Sequence, residues 1–119
     1  MAMITIHLHN VLFYAYHGIH EEEKVLGNEY ELSADIQFHE ENEVIYSIQQ
    51  TINYVEIYKI VQKRMDIPSP LLETIIMDIG NSIKEKYDNV RSISINLKKI
   101  HPPISGMQGS VGVSWQKQF

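Results

Sequence analysis

The spacing of apolar residues changes twice along this chain, and these two changes constrain its fold more than any other sequence feature. Near both ends, apolar residues take every second position, which is the pattern of a strand with one buried face. In the middle they follow the spacing of one face of a helix. Because strands and helices are segregated along the sequence, we predict an α+β fold.

Four strands are predicted from the alternation. The first two run from Ile4 to Leu8 and from Tyr30 to Phe38, and the last two from Ser92 to Lys98 and from Val111 to Trp115. The connection between the first two, roughly Tyr14 to Asn28, is far longer than the ~2–5 residues of a usual hairpin loop. A connection of this length indicates a functional role.

Two helices are predicted between the strand pairs. Asn53, with Glu56 three residues later, resembles a capping box, and helical spacing continues from Val55 to Met65. The dipeptide Ser69-Pro70 predicts an N-cap followed by proline at the first position of the second helix. The expected architecture is ββααββ, an antiparallel four-stranded sheet with the helix pair on one face.

Length and composition narrow the class of protein. A chain of 119 residues predicts one domain over 1–119. The net charge of −5 argues against nucleic acid or an anionic membrane as the main partner. The absence of cysteine excludes a disulfide framework, thiolate catalysis and iron–sulfur clusters. No apolar run approaches the ~18 residues of a membrane span and the N-terminus does not resemble a signal peptide, so we expect a cytoplasmic protein.

The last predicted strand has the sequence VGVSW, which carries neither charge nor proline. A four-stranded sheet has two edges, and an edge without such residues can pair with another copy of the chain. Closing several sheets into a barrel would remove the free edges. This strand therefore predicts a homo-oligomer.

Lys99 is the most informative candidate for chemistry. Counting in twos along the third strand places it on the same face as Ile93, Ile95 and Leu97. Burial disfavours the charged form of a lysine, which suits the side chain to proton transfer. The alternative is that the strand ends before this residue and the ammonium group reaches water.

Three other positions could contribute to a site. Glu73, in the first turn of the second predicted helix, could accept charge-assisted hydrogen bonds from a ligand, or be an ordinary solvated carboxylate. Tyr54 could donate from its hydroxyl group or simply pack on the core. One member of the run Glu21–Glu23 could face a site, although most acidic runs are solvated, and nothing local selects the member.

The sequence predicts neither a metal nor a cofactor. His7 and His9 share a strand face and could bind a metal with a third ligand, for which His17 and His20 are candidates. No recognisable ligand pattern completes such a set. There is also no GxGxxG motif, phosphate loop or nucleophile elbow.

Five short motifs span nearly the whole chain, from about Ile4 to Trp115. They are Phe13-Tyr14-Ala15-Tyr16-His17-Gly18 with Glu23 and Gly27; Thr51-Ile52-Asn53-Tyr54-Val55-Glu56; Leu71-Leu72-Glu73; Lys99 with Pro102-Pro103-Ile104 and Gly106; and Gly109-Ser110-Val111-Gly112-Val113. Each motif alone is weak. In this order and spacing, the five together resemble the signature of the dihydroneopterin aldolase family.

The resemblance implies a tunnelling fold, in which four subunits join their sheets into one barrel and two such rings stack into an octamer. It also implies a pterin site between neighbouring subunits. Glu73 would hold the amino-pyrimidinone edge, with the backbone of Leu72 beside it. The adjacent subunit would contribute Tyr54 and the backbone of Ile52-Asn53.

The implied reaction is retro-aldol cleavage of dihydroneopterin to hydroxymethyl-dihydropterin and glycolaldehyde, a step of folate biosynthesis. Glu23 matches the carboxylate at the side-chain end of the substrate, and Lys99 matches the catalytic lysine. Lys99 and Tyr54 would move protons through an ordered water. Since the dihydropterin has its own C=N bond as electron acceptor, neither a metal nor a Schiff base is implied.

The chain also departs from the family pattern. Members often carry Asp before the residue that matches Thr51, where this chain has Gln50, and the stretch from Glu40 to Gln50 is unusual. The nearest alternative is an epimerase of dihydroneopterin triphosphate, although only Lys98 and Lys99 are there to bind phosphates. A pyruvoyl-tetrahydropterin synthase would need a zinc-binding histidine triad and usually a cysteine. A non-catalytic pterin-binding oligomer is the alternative from a different class.

Overall fold

The computed structural model describes residues 2–119, and its sheet follows the alternation seen in the sequence. The strands are β1 (Met3–Ala15), β2 (Asn28–His39), β3 (Val90–Lys99) and β4 (Val111–Gln118). They pair antiparallel in chain order. The predicted α+β architecture is confirmed.

The helices are α1 (Glu21–Leu26), α2 (Tyr54–Met65) and α3 (Leu72–Lys86), and one 3-10 turn spans Ile48–Gln50. The helices α2 and α3 pack against each other, with α3 also on β3 and β4 and α2 on β1. No helix in the part of the chain from residue 2 onward is long and apolar enough to cross a membrane.

The core lies between the sheet and the helix pair. Every second residue of β2 and β3 is buried there because strand side chains alternate between faces. The helices contribute one buried stripe each. The fully buried side chains of these two strands and two helices include Tyr30, Leu32, Ala34, Ile36, Phe38, Val90, Ile93, Ile95, Leu97, Ile57, Val61, Ile75, Ile76, Ile79 and Ile83.

Three local predictions were wrong. The first strand, predicted from Ile4 to Leu8, continues to Ala15, and the long connection that follows it contains the helix α1. Asn53 does cap α2, because its side chain accepts a hydrogen bond from the Val55 N–H at 2.9 Å. Glu56, however, forms ion pairs with Lys59 and Lys86 and does not complete a capping box. Val55, counted with the apolar positions of the helix, is exposed.

The second helix also begins later than predicted. Leu71 is the N-cap of α3, so Ser69-Pro70 precedes the helix. Ser69 is buried, and its backbone is hydrogen-bonded to His17 and Gly18, which follow β1. These bonds hold Ser69 outside the helix. The start of α3 is thereby tied to the end of β1.

The unusual segment before α2 forms its own local structure. The Gln50 side chain accepts hydrogen bonds from the backbone N–H groups of Tyr46 and Ser47, at 2.7 and 3.2 Å. The residue that departs from the family pattern therefore stabilises the 3-10 turn. Within the described residues 2–119, the side-chain oxygen of Gln50 thus accepts hydrogen bonds only from the segment that precedes α2.

Candidate active site

Lys99 lies at the end of β3, on the face of the sheet that the helices cover. It is 7% exposed, so the alternation predicts its position correctly and the alternative of a solvated ammonium group is excluded. Its Nζ donates a hydrogen bond to Oε2 of Glu23, and the two side chains form an ion pair. A buried lysine needs such a partner, because an unpaired buried charge is strongly unfavourable.

Glu23 is the one buried member of the acidic run in α1. Its Oε1 also accepts the backbone N–H of His20 at 3.3 Å. Burial raises the pKa of Glu23, but the hydrogen bonds from Lys99 and His20 outweigh it and hold the pKa below its ordinary value. The carboxylate is therefore ionised at neutral pH.

Gly18 makes room for this carboxylate. Its φ is +136°, a conformation that favours glycine, and a Cβ at this position would overlap the carboxyl group of Glu23. The sequence gives a signal for this position, since Gly18 follows His17 in the first family motif. Its role in seating Glu23 became visible only with α1 in place.

His17 links Tyr30 of β2 to the segment that precedes α3. Its Nδ1 accepts the backbone N–H of Ser69 at 3.0 Å, and its carbonyl accepts the hydroxyl of Tyr30 at 2.9 Å. Burial, assisted by the charges of Arg64 and Lys99, lowers the pKa of His17 to about 4. The ring is therefore neutral, with its proton on Nε2.

Tyr30 lies beneath Lys99 and was not among the residues that the sequence indicated. It is the cross-strand neighbour of Lys99, and the Nζ atom lies 6.0 Å from the centre of its ring. Burial raises the pKa of Tyr30 to about 12, so its hydroxyl is protonated at neutral pH and donates a hydrogen bond to the carbonyl of His17. The pairing of β2 with β3 identifies Tyr30 as the neighbour of Lys99. The register between two strands cannot be read from the sequence of either strand alone.

The neutral His17 predicts a pH-dependent stability. Between its folded pKa of about 4 and the ordinary value of 6.5, the unfolded chain binds a proton that the folded chain does not. Stability therefore falls as the pH drops, by about 2 kcal/mol between pH 7.5 and 5. Replacing His17 by Asn, which keeps an acceptor for Ser69, should remove most of this fall.

Urea unfolding at several pH values measures this effect. Glu23 does not interfere, because a lowered carboxylate pKa costs stability only as the pH falls below about 4.5, the ordinary value, toward the folded pKa. An equally steep loss between pH 7.5 and 5 in His17→Asn would show that another group is responsible.

A cleft of about 310 Å³ opens beside the ion pair. Its lining includes Glu23, Tyr14, Leu26, Asn28 and His101. The side chain of Asn28 donates to the carbonyl of His101 at 2.5 Å and accepts its backbone N–H at 3.2 Å. These bonds hold the proline-rich loop after β3 against the start of β2. The wall of the cleft is therefore built from β1, α1, the start of β2 and this loop.

The other predicted site residues lie elsewhere on this chain. Tyr54 is 63% exposed, Glu73 and Leu72 are in the first turn of α3, and Ile52 is buried in the core. Asn53 uses its side chain as the cap of α2. None of these five lines the cleft beside Lys99 and Glu23 within residues 2–119. One chain thus brings Lys99 and Glu23 together and leaves Tyr54 facing outward.

The fold and the cleft define a small α+β domain with a buried Lys–Glu pair beside an open cleft. The family model for dihydroneopterin aldolase (FolB) matches residues 6–116. The chain therefore belongs to the dihydroneopterin aldolase family.

Individual relatives agree with this assignment. The dihydroneopterin aldolase of Bacillus subtilis is 29% identical over 114 residues, covering 93% of this chain and 94% of that protein. The crystal structure of E. coli dihydroneopterin aldolase in complex with neopterin has a TM-score of 0.75 at 17% identity, covering 98% of this chain and 99% of that one. A Burkholderia dihydroneopterin aldolase bound to guanine has a TM-score of 0.78 at 17% identity, covering 98% and 92%.

Proposed function

We propose that this protein cleaves dihydroneopterin to hydroxymethyl-dihydropterin and glycolaldehyde, as an aldehyde-lyase of folate biosynthesis. The buried Lys99–Glu23 pair beside an open cleft is the observation that carries this proposal. It joins a proton-transfer group to a carboxylate in a chain of the dihydroneopterin aldolase family. The E. coli relative was crystallised with neopterin, which supports a pterin as the ligand here.

The chemistry requires only proton transfers. Loss of the proton from the second hydroxyl of the substrate side chain lets the adjacent C–C bond break, which releases glycolaldehyde. The electron pair passes into the C=N bond of the protonated dihydropterin ring, and a proton then returns to the side-chain carbon. We assign these transfers to Lys99 and Tyr54 through an ordered water, with Glu23 at the hydroxyl end of the side chain.

Glu73 is the proposed anchor for the pterin ring. It lies exposed in the first turn of α3, and no side-chain partner occupies its carboxylate within the part of the chain that the structure describes. A carboxylate free of partners can accept two parallel hydrogen bonds from the amino-pyrimidinone edge. The backbone of Leu72 would lie alongside it.

The proposed site takes residues from two subunits. The exposed Tyr54, with the backbone of Ile52-Asn53, would close the cleft of a neighbouring chain. The edges of the sheet are β1 and β4, and the uncharged sequence VGVSW lies on one of them. Pairing of these edges would form a tetrameric ring, and two stacked rings would form an octamer. Light scattering measures the mass of the assembly directly.

The cytoplasmic location stays a prediction.

Product analysis tests the function. The purified protein, treated with a chelator, is incubated with dihydroneopterin and the products are separated by chromatography. We expect hydroxymethyl-dihydropterin with an equal amount of glycolaldehyde. An epimer of the substrate as sole product would favour the epimerase, and unchanged substrate with bound pterin would favour the non-catalytic binding protein.

A further inference from the structure

The face of the sheet turned away from the helices carries a second cluster of ligand-type side chains, on the strands β1 and β2. His7 and His9 of β1 both contact the carboxylate of Asp35 on β2. We propose that His7, His9 and Asp35 form a binding site for a divalent transition-metal ion. This site is separate from the cleft at Lys99 and does not depend on the proposed catalytic function.

The pairing of the two strands brings these three residues together. His7 and Asp35 are direct cross-strand neighbours, and His9 lies two residues further along the same face. His9 and Asn10 lie in a β-bulge, because the register shifts between Leu8 and Val11, and Asn10 takes a φ of +57° there. The backbone N–H of Asn10 donates to the Ser33 hydroxyl at 3.0 Å, which holds the bulge in place. Bulges change the direction of nearby side chains, which accounts for His9 reaching back to Asp35.

The distances between the donor atoms suit a small ion. Nδ1 of His7, Nε2 of His9 and a carboxylate oxygen of Asp35 all lie within 4.8 Å of one another, and His9 Nε2 is 2.7 Å from Asp35 Oδ1. Ligand atoms around tetrahedral zinc, at about 2.0–2.1 Å from the metal, are roughly 3.3–3.4 Å apart. Small rotations of three partly exposed side chains would therefore admit the ion between them.

The donor set also selects the kind of metal. Two imidazoles with one carboxylate suit zinc, cobalt or nickel, whereas magnesium and calcium prefer oxygen ligands alone. Three protein ligands leave at least one coordination position for a solvent molecule or another ligand. Asp35 also lines a polar groove of about 430 Å³ on this face, so that position borders a space that solvent can enter.

The sequence analysis predicted no metal site, because no recognisable third ligand completed the pair His7 and His9. By their spacing His7 and His9 share a strand face, and His17 and His20 are the candidate partners that the sequence offers. In the structure, His17 is buried on the other side of the sheet, bonded to Ser69. The third ligand is Asp35, 26 residues beyond His9, and only the register of β2 against β1 identifies it.

Metal titration of the full chain tests the proposal. The tag-free protein is freed of metal with a chelator, the chelator is removed, and Zn²⁺ is titrated by calorimetry. We expect one ion per chain, bound at least ~10-fold more weakly by His9→Asn and by Asp35→Asn. The matched control is His101→Asn, which should leave the affinity for Zn²⁺ unchanged. His101 is an exposed histidine whose Nε2 lies 3.8 Å from Oε2 of Glu29, so it also has a carboxylate neighbour but is not part of a group of three ligand-type side chains within residues 2–119.

A second readout reports the geometry of the bound ion. Co²⁺ bound in place of Zn²⁺ should give the intense visible absorption of a four-coordinate site, and His7→Asn should abolish it. Absence of Zn²⁺ binding at micromolar concentrations overturns the proposal. An equal loss of affinity in His101→Asn, or a Co²⁺ spectrum that His7→Asn leaves unchanged, also overturns it. Circular dichroism of the metal-free variants verifies that each is folded, and the two Asn substitutions at His9 and Asp35 serve as independent tests.

Discussion

Replacing Lys99 by Met is expected to lower kcat for dihydroneopterin cleavage by about 10²–10⁴-fold, the usual contribution of a positioned acid–base group. Methionine fills a similar volume in the buried position but transfers no proton. The Kd for the pterin should change little, because Glu73 and not Lys99 is assigned to hold the ring. Single-turnover kinetics and a fluorescence titration with the pterin product measure the two quantities.

The neighbouring lysine provides a matched control. Lys98 is exposed on the opposite face of β3, so Lys98→Met removes the same charge without touching the cleft. Because Lys99→Met leaves Glu23 buried without its partner, its stability must be measured as well, and Glu23→Gln in the same background removes the unpaired charge. Parallel loss of pterin binding and turnover in a folded Lys99→Met protein would contradict the role assigned to Lys99.

Replacing Glu73 by Ala should weaken pterin binding by about 10²–10⁴-fold, since two charge-assisted hydrogen bonds contribute roughly 1.5–3 kcal/mol each. Little stability should be lost, because Glu73 is exposed and its main structural contribution is to the helix dipole, about 0.3–1 kcal/mol. A calorimetric titration with the pterin product measures the affinity.

Glu85, an exposed carboxylate on the same helix, is the control for this substitution. Glu85→Ala removes the same charge away from the first turn of α3, and its affinity for the pterin should equal that of the unmodified protein. If Glu73→Ala bound the pterin as tightly as Glu85→Ala, the ring would have to be anchored elsewhere.

The sequence predicted those parts of the site that depend on periodicity. Alternation along one strand placed Lys99 on the buried face, since side-chain direction within a strand follows from counting. The same reasoning correctly gave the four-stranded antiparallel sheet with the helix pair α2 and α3 on one face.

The parts that depend on tertiary contacts could not be predicted in this way. Glu23 could not be selected within its acidic run, because α1 has only six residues and its buried side is decided by Lys99 and by the space above Gly18. Ser69 matched a helix cap in sequence but is held by His17. In each case a contact between distant segments overrode the local preference.

The most direct test of the central claim, a cleavage site shared between two subunits, is to combine two inactive variants. Lys99→Met and Tyr54→Phe are co-expressed with different tags, and the mixed oligomer that carries both tags is assayed for glycolaldehyde. If each site takes Lys99 from one chain and Tyr54 from its neighbour, about one quarter of the sites in an evenly mixed ring contain both native residues. We therefore expect activity near a quarter of that of the unmodified protein, whereas activity no greater than that of the two parent variants would contradict a shared site.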